Sequence, residues 1–204
     1  DFVPSVVRSN FPALLNNYLN HPYGSDDAMV SFDEPSLGRL DIPDLATGRL
    51  AVRTVEEADS FVNRIMAYTL QPEPGIWRNK VVLVADDLTK PNDNQSVETA
   101  HMRQTEVISN EYLPLTVDVN KLYLADYESP SGVFTKPLAR QEARQLLNDG
   151  LSIFHYVGHG SDNELADEQV FLTEDIYGLS NGMRRGVFLA FSCDGGIFDS
   201  SSRQ

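Results

Sequence analysis

Hydrophobic positions fall into two kinds of pattern along this chain, and the boundary between them predicts its architecture. From Lys80 onward, short unbroken apolar runs recur at Val81–Ala85, Leu151–Val157 and Val187–Ser192, with a further strand expected near Lys121–Ala125. Such runs suit strands buried on both faces, as in a parallel sheet. Helical patterns separate them, one from about Ser96 to Tyr112 and another from Pro137 to Gly150. The proline suits a first helical turn and the glycine a C-terminal cap. Alternating strands and helices predict a three-layer α/β fold with a mostly parallel sheet. The front of the chain reads differently. Up to about Asp41 it is rich in Pro, Asn, Asp and Ser without sustained periodicity, which predicts loops with short elements. Leu45–Val52 predicts a strand interrupted by Gly48. Thr54–Tyr68 predicts an amphipathic helix, with Val55, Ala58, Phe61, Val62, Ile65 and Tyr68 on one face and a Thr54/Glu57 capping box. Gln71–Gly75 stops that helix and serves as a linker.

Composition narrows the partners. Of 204 residues, 30 are Asp or Glu against 16 Lys or Arg, a formal charge of −14. That balance repels nucleic acid and anionic lipid. No stretch has the length and apolarity of a membrane span. The single cysteine, Cys193, excludes both an intrachain disulfide and a cysteine-rich zinc site among these residues. The opening Asp1-Phe2-Val3-Pro4 reads as the middle of a longer chain. The ending Ser200–Gln204 follows an apolar run with no closing element and reads as a fragment or one product of processing.

Two predicted strands end in reactive side chains. Leu151–Val157 runs into Gly158-His159-Gly160-Ser161, and Val187–Ser192 runs into Cys193-Asp194-Gly195-Gly196. In a parallel sheet both endings lie on one edge, where ligands bind. There His159 could take the thiol proton of Cys193 and leave a thiolate nucleophile. Glycines beside His159 permit close backbone approach. The N–H groups of Gly160 and Cys193 are then candidates for an oxyanion hole. A Gly-His-Gly loop alone is commonly a turn, and a lone cysteine commonly an inert buried thiol; the joint placement at two strand ends is what favours chemistry.

The wording of these segments, Tyr156-Val-Gly-His-Gly-Ser161 and Phe188-Leu-Ala-Phe-Ser-Cys-Asp-Gly-Gly-Ile-Phe198-Asp199, resembles peptidase family C25, the gingipain-like peptidases of the caspase clan. Ile42–Arg53 and Val81-Val-Leu-Val-Ala-Asp-Asp87 are similar to upstream stretches of the same family. The resemblance implies a three-layer caspase-like fold with a mostly parallel sheet, incomplete at its C-terminus, with residues 1–75 as the end of a non-catalytic subdomain plus linker and 76–204 as the front of the catalytic one. It implies a cysteine endopeptidase in which Cys193 is the nucleophile, His159 the general acid/base and Gly160 an oxyanion donor. It also implies an orienting carboxylate at Asp86, with Asp87 as the fallback, and, from the arginine-specific members, a substrate-binding carboxylate at Glu98 that would favour Arg or Lys at P1. No cofactor is required. Structural calcium is an option on the acidic loops Asp26-Asp27, Asp86–Asp93 and Asp162–Asp167, none of which has EF-hand spacing. The implied partners are a protein or peptide substrate and a C-terminal chain completing the same domain. The implied compartment is the bacterial exterior, secreted or at the cell surface.

Two other readings remain beside the endopeptidase. A sortase-like transpeptidase would share the chemistry as far as the acyl-enzyme. A non-catalytic scaffold would follow from an incomplete site. Cleavage at Arg203, in a polar segment suited to proteolysis, is the expectation for autoprocessing. Of the other histidines, His101 reads as a helix-surface or packing residue, His155 as a core histidine with its hydrogen bonds satisfied, and His21 as a loop residue.

Overall fold

The computed structural model describes residues 6–8, 23–26, 29–32, 43–87, 99–131, 133–193 and 195. They fall into two compact units, one before Met66 and one over residues 66–196.

In the first unit, strands β1 (Val6–Arg8) and β2 (Tyr23–Ser25) form an antiparallel pair, with Val7 opposite Gly24. Residues 43–52 are irregular rather than the strand their apolar pattern predicts. Leu45 and Leu50 are exposed there, so neither burial nor a ladder rewards extension. Side chains fix the segment instead: the Arg49 guanidinium donates to Asp26 Oδ1 at 2.6 and 2.8 Å, and the Asp44 carboxylate accepts from the Phe32 N–H at 2.8 Å. Helix α1 (Val55–Leu70) starts where the capping pattern places it. Thr54 Oγ1 accepts the Glu57 N–H at 3.1 Å, while the Glu57 carboxylate accepts the Arg53 N–H at 2.6 Å. Its apolar stripe, including Val55, Val62 and Ile65, is exposed.

The second unit holds a four-stranded parallel sheet in the order β4-β3-β5-β8, formed by Lys80–Ala85 (β3), Asp118–Tyr123 (β4), Ile153–Val157 (β5) and Val187–Phe191 (β8). Helix α2 (Ala100–Val107), which widens into a π turn over Ile108–Tyr112, connects β3 to β4, and α3 (Pro137–Asp149) connects β4 to β5. Val81–Ala85 are all buried, as their unbroken apolarity predicts for a central parallel strand. Ala139, Ala143 and Leu147 of α3 pack on Val82, Val84, Leu122, Phe154 and Tyr156 to form the core. Phe188 stacks on Phe154 with ring centroids 4.6 Å apart. Gly150 caps α3 at φ 87°, a left-handed conformation that glycine takes without a Cβ penalty.

The sequence pattern does not announce the short hairpin of β6 (Glu164–Leu165) and β7 (Phe171–Leu172). Its turn uses Ala166 and Gln169, both at φ 61°, where glycine or asparagine is the usual signal. No helix among the described residues is long and apolar enough to cross a membrane.

Candidate active site

Three strand ends meet on one edge of the parallel sheet. Ala85 pairs with Val157, and Val157 with Phe191, so Asp86, the Gly158-His159-Gly160 turn and Ser192-Cys193 emerge side by side. His159 and Cys193 each stand two residues past the registered pair Val157–Phe191. The Gly158 N–H continues the ladder to Phe191 O at 3.2 Å. A Cβ on Gly160 would sit 2.2 Å from Ser192 Oγ, so the two loops touch immediately beside the exposed thiol.

The backbone of His159 is held from both sides. Its N–H donates to Asp86 Oδ2 at 2.8 Å, and Asp86 Oδ1 accepts the Asp87 N–H at 2.8 Å. Its carbonyl accepts the Ala166 N–H at 2.9 Å and the Tyr156 hydroxyl. A trans peptide directs its N–H opposite its carbonyl. The two donors on the His159 carbonyl therefore aim the Gly160 N–H away from the β6–β7 hairpin. The bonds Ser161 N–H to Glu164 O and Ala166 N–H to His159 O, both 2.9 Å, flank the Gly160–Leu165 bridge and leave the same orientation.

Asp86 is 1% exposed and belongs to a buried polar network. Lys136 ion-pairs with Asp87 Oδ2 and donates to Leu124 O at 2.6 Å. Glu168, from the hairpin turn, joins the group, so that Asp86, Asp87 and Glu168 each bring one oxygen within 4.8 Å of the others. Lys136 already puts a positive charge into this set, which reads as an ion network. Burial first, then the nearby Asp86 carboxylate, pushes Glu168 up to about 7 from an ordinary 4.5. Burial and Asp86 also push the Tyr156 hydroxyl far up, so it stays a donor. A raised carboxyl stabilises its protonated form in the fold. The contribution of Glu168 is therefore full below about pH 4.5 and lost as pH rises to about 7. Thermal unfolding followed across that window should show wild-type stability falling by on the order of 2 kcal/mol with rising pH. Glu168→Gln should flatten that slope; an equally steep profile in the variant would exclude Glu168 as its source.

His101 of α2 lies against His159, rings edge to face at 5.6 Å and 78°. His155 is buried against Phe191, centroids 5.0 Å apart, and burial lowers its pKa. It is a core histidine as expected, but its Nδ1 has no hydrogen-bond partner among the described residues, so the expected satisfaction is corrected. Its register partners on the flanking strands are Leu83 and Leu189. Glu98 and Arg203 lie outside the described residues, as does much of the acidic loop after Asp87.

The model of peptidase family C25 matches residues 1–204. The chain belongs to peptidase family C25. It is similar in fold to the Arg-specific cysteine proteinase gingipain R, at 20% identity and a TM-score of 0.62, over 88% of this chain and 38% of that one. A second similar structure is the complex of the pro- and mature domains of Porphyromonas gingivalis RgpB, at 19% identity and a TM-score of 0.45, over 68% of this chain and 30% of that one. The chain thus spans well under half the length of these gingipains. A comparison with curated proteins finds no match. The likeness establishes for this C25 chain a caspase-like fold with a mostly parallel sheet.

Around the C25 motif residues the fold adds two groups that sequence reasoning passed over, Lys136 and Glu168, and brings His101, expected as a helix-surface or packing residue, against His159. The signal available for Lys136 and Glu168 was only their charge, which ordinarily means surface.

Proposed function

We propose that this C25 chain carries the reactive centre of a cysteine endopeptidase. The observation that carries the reading is the register that sets His159 and Cys193 level on neighbouring parallel strands, with the His159 peptide anchored to Asp86. His159 takes the Cys193 proton, and the thiolate attacks the scissile carbonyl carbon to form a C–S bond. The carbonyl oxygen becomes an oxyanion that the Gly160 and Cys193 N–H groups stabilise. Collapse breaks the C–N bond as His159 returns its proton to the leaving amine. Water then attacks the thioester carbonyl, losing a proton to His159, and the thiol leaves with that proton. Asp86 acts as the orienting carboxylate by holding the backbone that carries the imidazole. Glu98 is the proposed carboxylate for an Arg or Lys side chain at P1, by family resemblance. The same resemblance supports export to the bacterial exterior, and the chemistry needs no metal or organic cofactor.

Covalent labelling tests this directly. An acyloxymethyl ketone with Arg or Lys at P1 should add one equivalent at Cys193, with labelling lost in Cys193→Ala and slowed at least 100-fold in His159→Ala. Absence of an adduct with every P1 residue tried would leave the scaffold reading in its place.

A further inference from the structure

We infer that His101 is a positioning residue for His159, fixing the plane of the ring that takes the thiol proton; this rests on the peptidase reading above. The two imidazoles come from different elements. His101 is the second residue of α2, and His159 lies beyond the end of β5. Their centroids are 5.6 Å apart at an interplanar angle of 78°. This is an edge-to-face contact, in which the electropositive rim of one ring meets the electron-rich face of the other. It constrains rotation of the His159 ring about its side chain, whose backbone is already anchored by Asp86, Tyr156 and Ala166.

His101 is itself held. Thr105, buried, donates its hydroxyl to the His101 carbonyl at 2.9 Å one turn along the helix. The His101 Nδ1 is buried and has no hydrogen-bond partner among the described residues. The ring spends its face or rim on the catalytic imidazole.

The test uses two substitutions at the packed ring. His101→Phe keeps an aromatic rim beside His159; His101→Ala removes it. In a Cys193→Ala background, the His159 ring signals in NMR should broaden or average in His101→Ala and keep the parent dispersion in His101→Phe. With Cys193 present, His101→Ala should lower the maximal labelling rate about tenfold with little change in the ketone concentration at half-maximal rate, and His101→Phe should restore it. A His159 ring equally ordered in His101→Ala overturns the inference, whether or not the chain reacts with the label. A ring that loses order in a chain that no ketone labels would retain the positioning role and reject the peptidase reading.

Discussion

Lys136→Met is expected to cost the fold about 3–5 kcal/mol, among the largest losses available from one surface-type residue. Lys136 is 5% exposed, and its ammonium is the positive charge inside a group of three buried carboxylates. Methionine keeps the length and apolar stem of the side chain. Its backbone N–H can still donate to the Glu168 carbonyl, a bond of 2.9 Å in the native fold. What it removes is the partner of Asp87 Oδ2, on a carboxylate whose Oδ1 has no hydrogen-bond partner among the described residues. The Leu124 carbonyl loses its Nζ donor as well. Desolvation of a stranded charge, rather than lost attraction, dominates such a change. Adding Asp87→Asn to Lys136→Met should therefore recover about half the loss. Urea unfolding midpoints of the two singles and the double decide it, and simple addition of the two single losses would reject the stranded-charge account.

Gly158→Ala is expected to combine a loss of about 2–3 kcal/mol with at least a 100-fold fall in labelling rate. A Cβ there would lie 2.2 Å from Asp86 Cβ and 2.5 Å from the Tyr156 hydroxyl. Neither can retreat cheaply. Asp86 is bound to the His159 and Asp87 N–H groups, and Tyr156 is fully buried. Relief requires moving the turn that carries His159, which links the stability loss to the rate. Gly48→Ala is the control, because nothing lies within 4 Å of its added carbon. It should leave both stability and labelling within error of wild type. A Gly158→Ala protein with native stability and a native rate would show that Asp86 does not support the site through this contact.

Much of this arrangement is legible in the chain because it depends on local pattern. Unbroken apolar runs mark buried parallel strands, and that pattern places His159 and Cys193 just past two strand ends, which the register sets side by side. Asp86 came from the family resemblance, and the fold puts it past the end of the neighbouring strand. The predictions failed where long-range pairing decides. Lys136 and Asp87 are 49 residues apart, and nothing local says that a lysine before a helix turns inward to a carboxylate. His101 sits at a helical phase that reads equally well as surface or packing, and only the placement of α2 brings it to His159. The hairpin escaped notice because Ala166 and Gln169 adopt left-handed backbone that sequence normally marks with glycine. Leu45–Val52 misled in the opposite direction, since apolar residues on either side of Gly48 imply a strand only when a partner and a core receive them.

The exposed thiol has a consequence in redox terms. Within these 204 residues Cys193 has no second cysteine. A sulfenic acid formed on it by peroxide therefore cannot be trapped as a disulfide within this stretch, the usual brake before irreversible sulfinic acid. Recovery from oxidation falls to a thiol from outside this stretch that can reach Cys193, which ties the lifetime of its reduced form to the reductants around it.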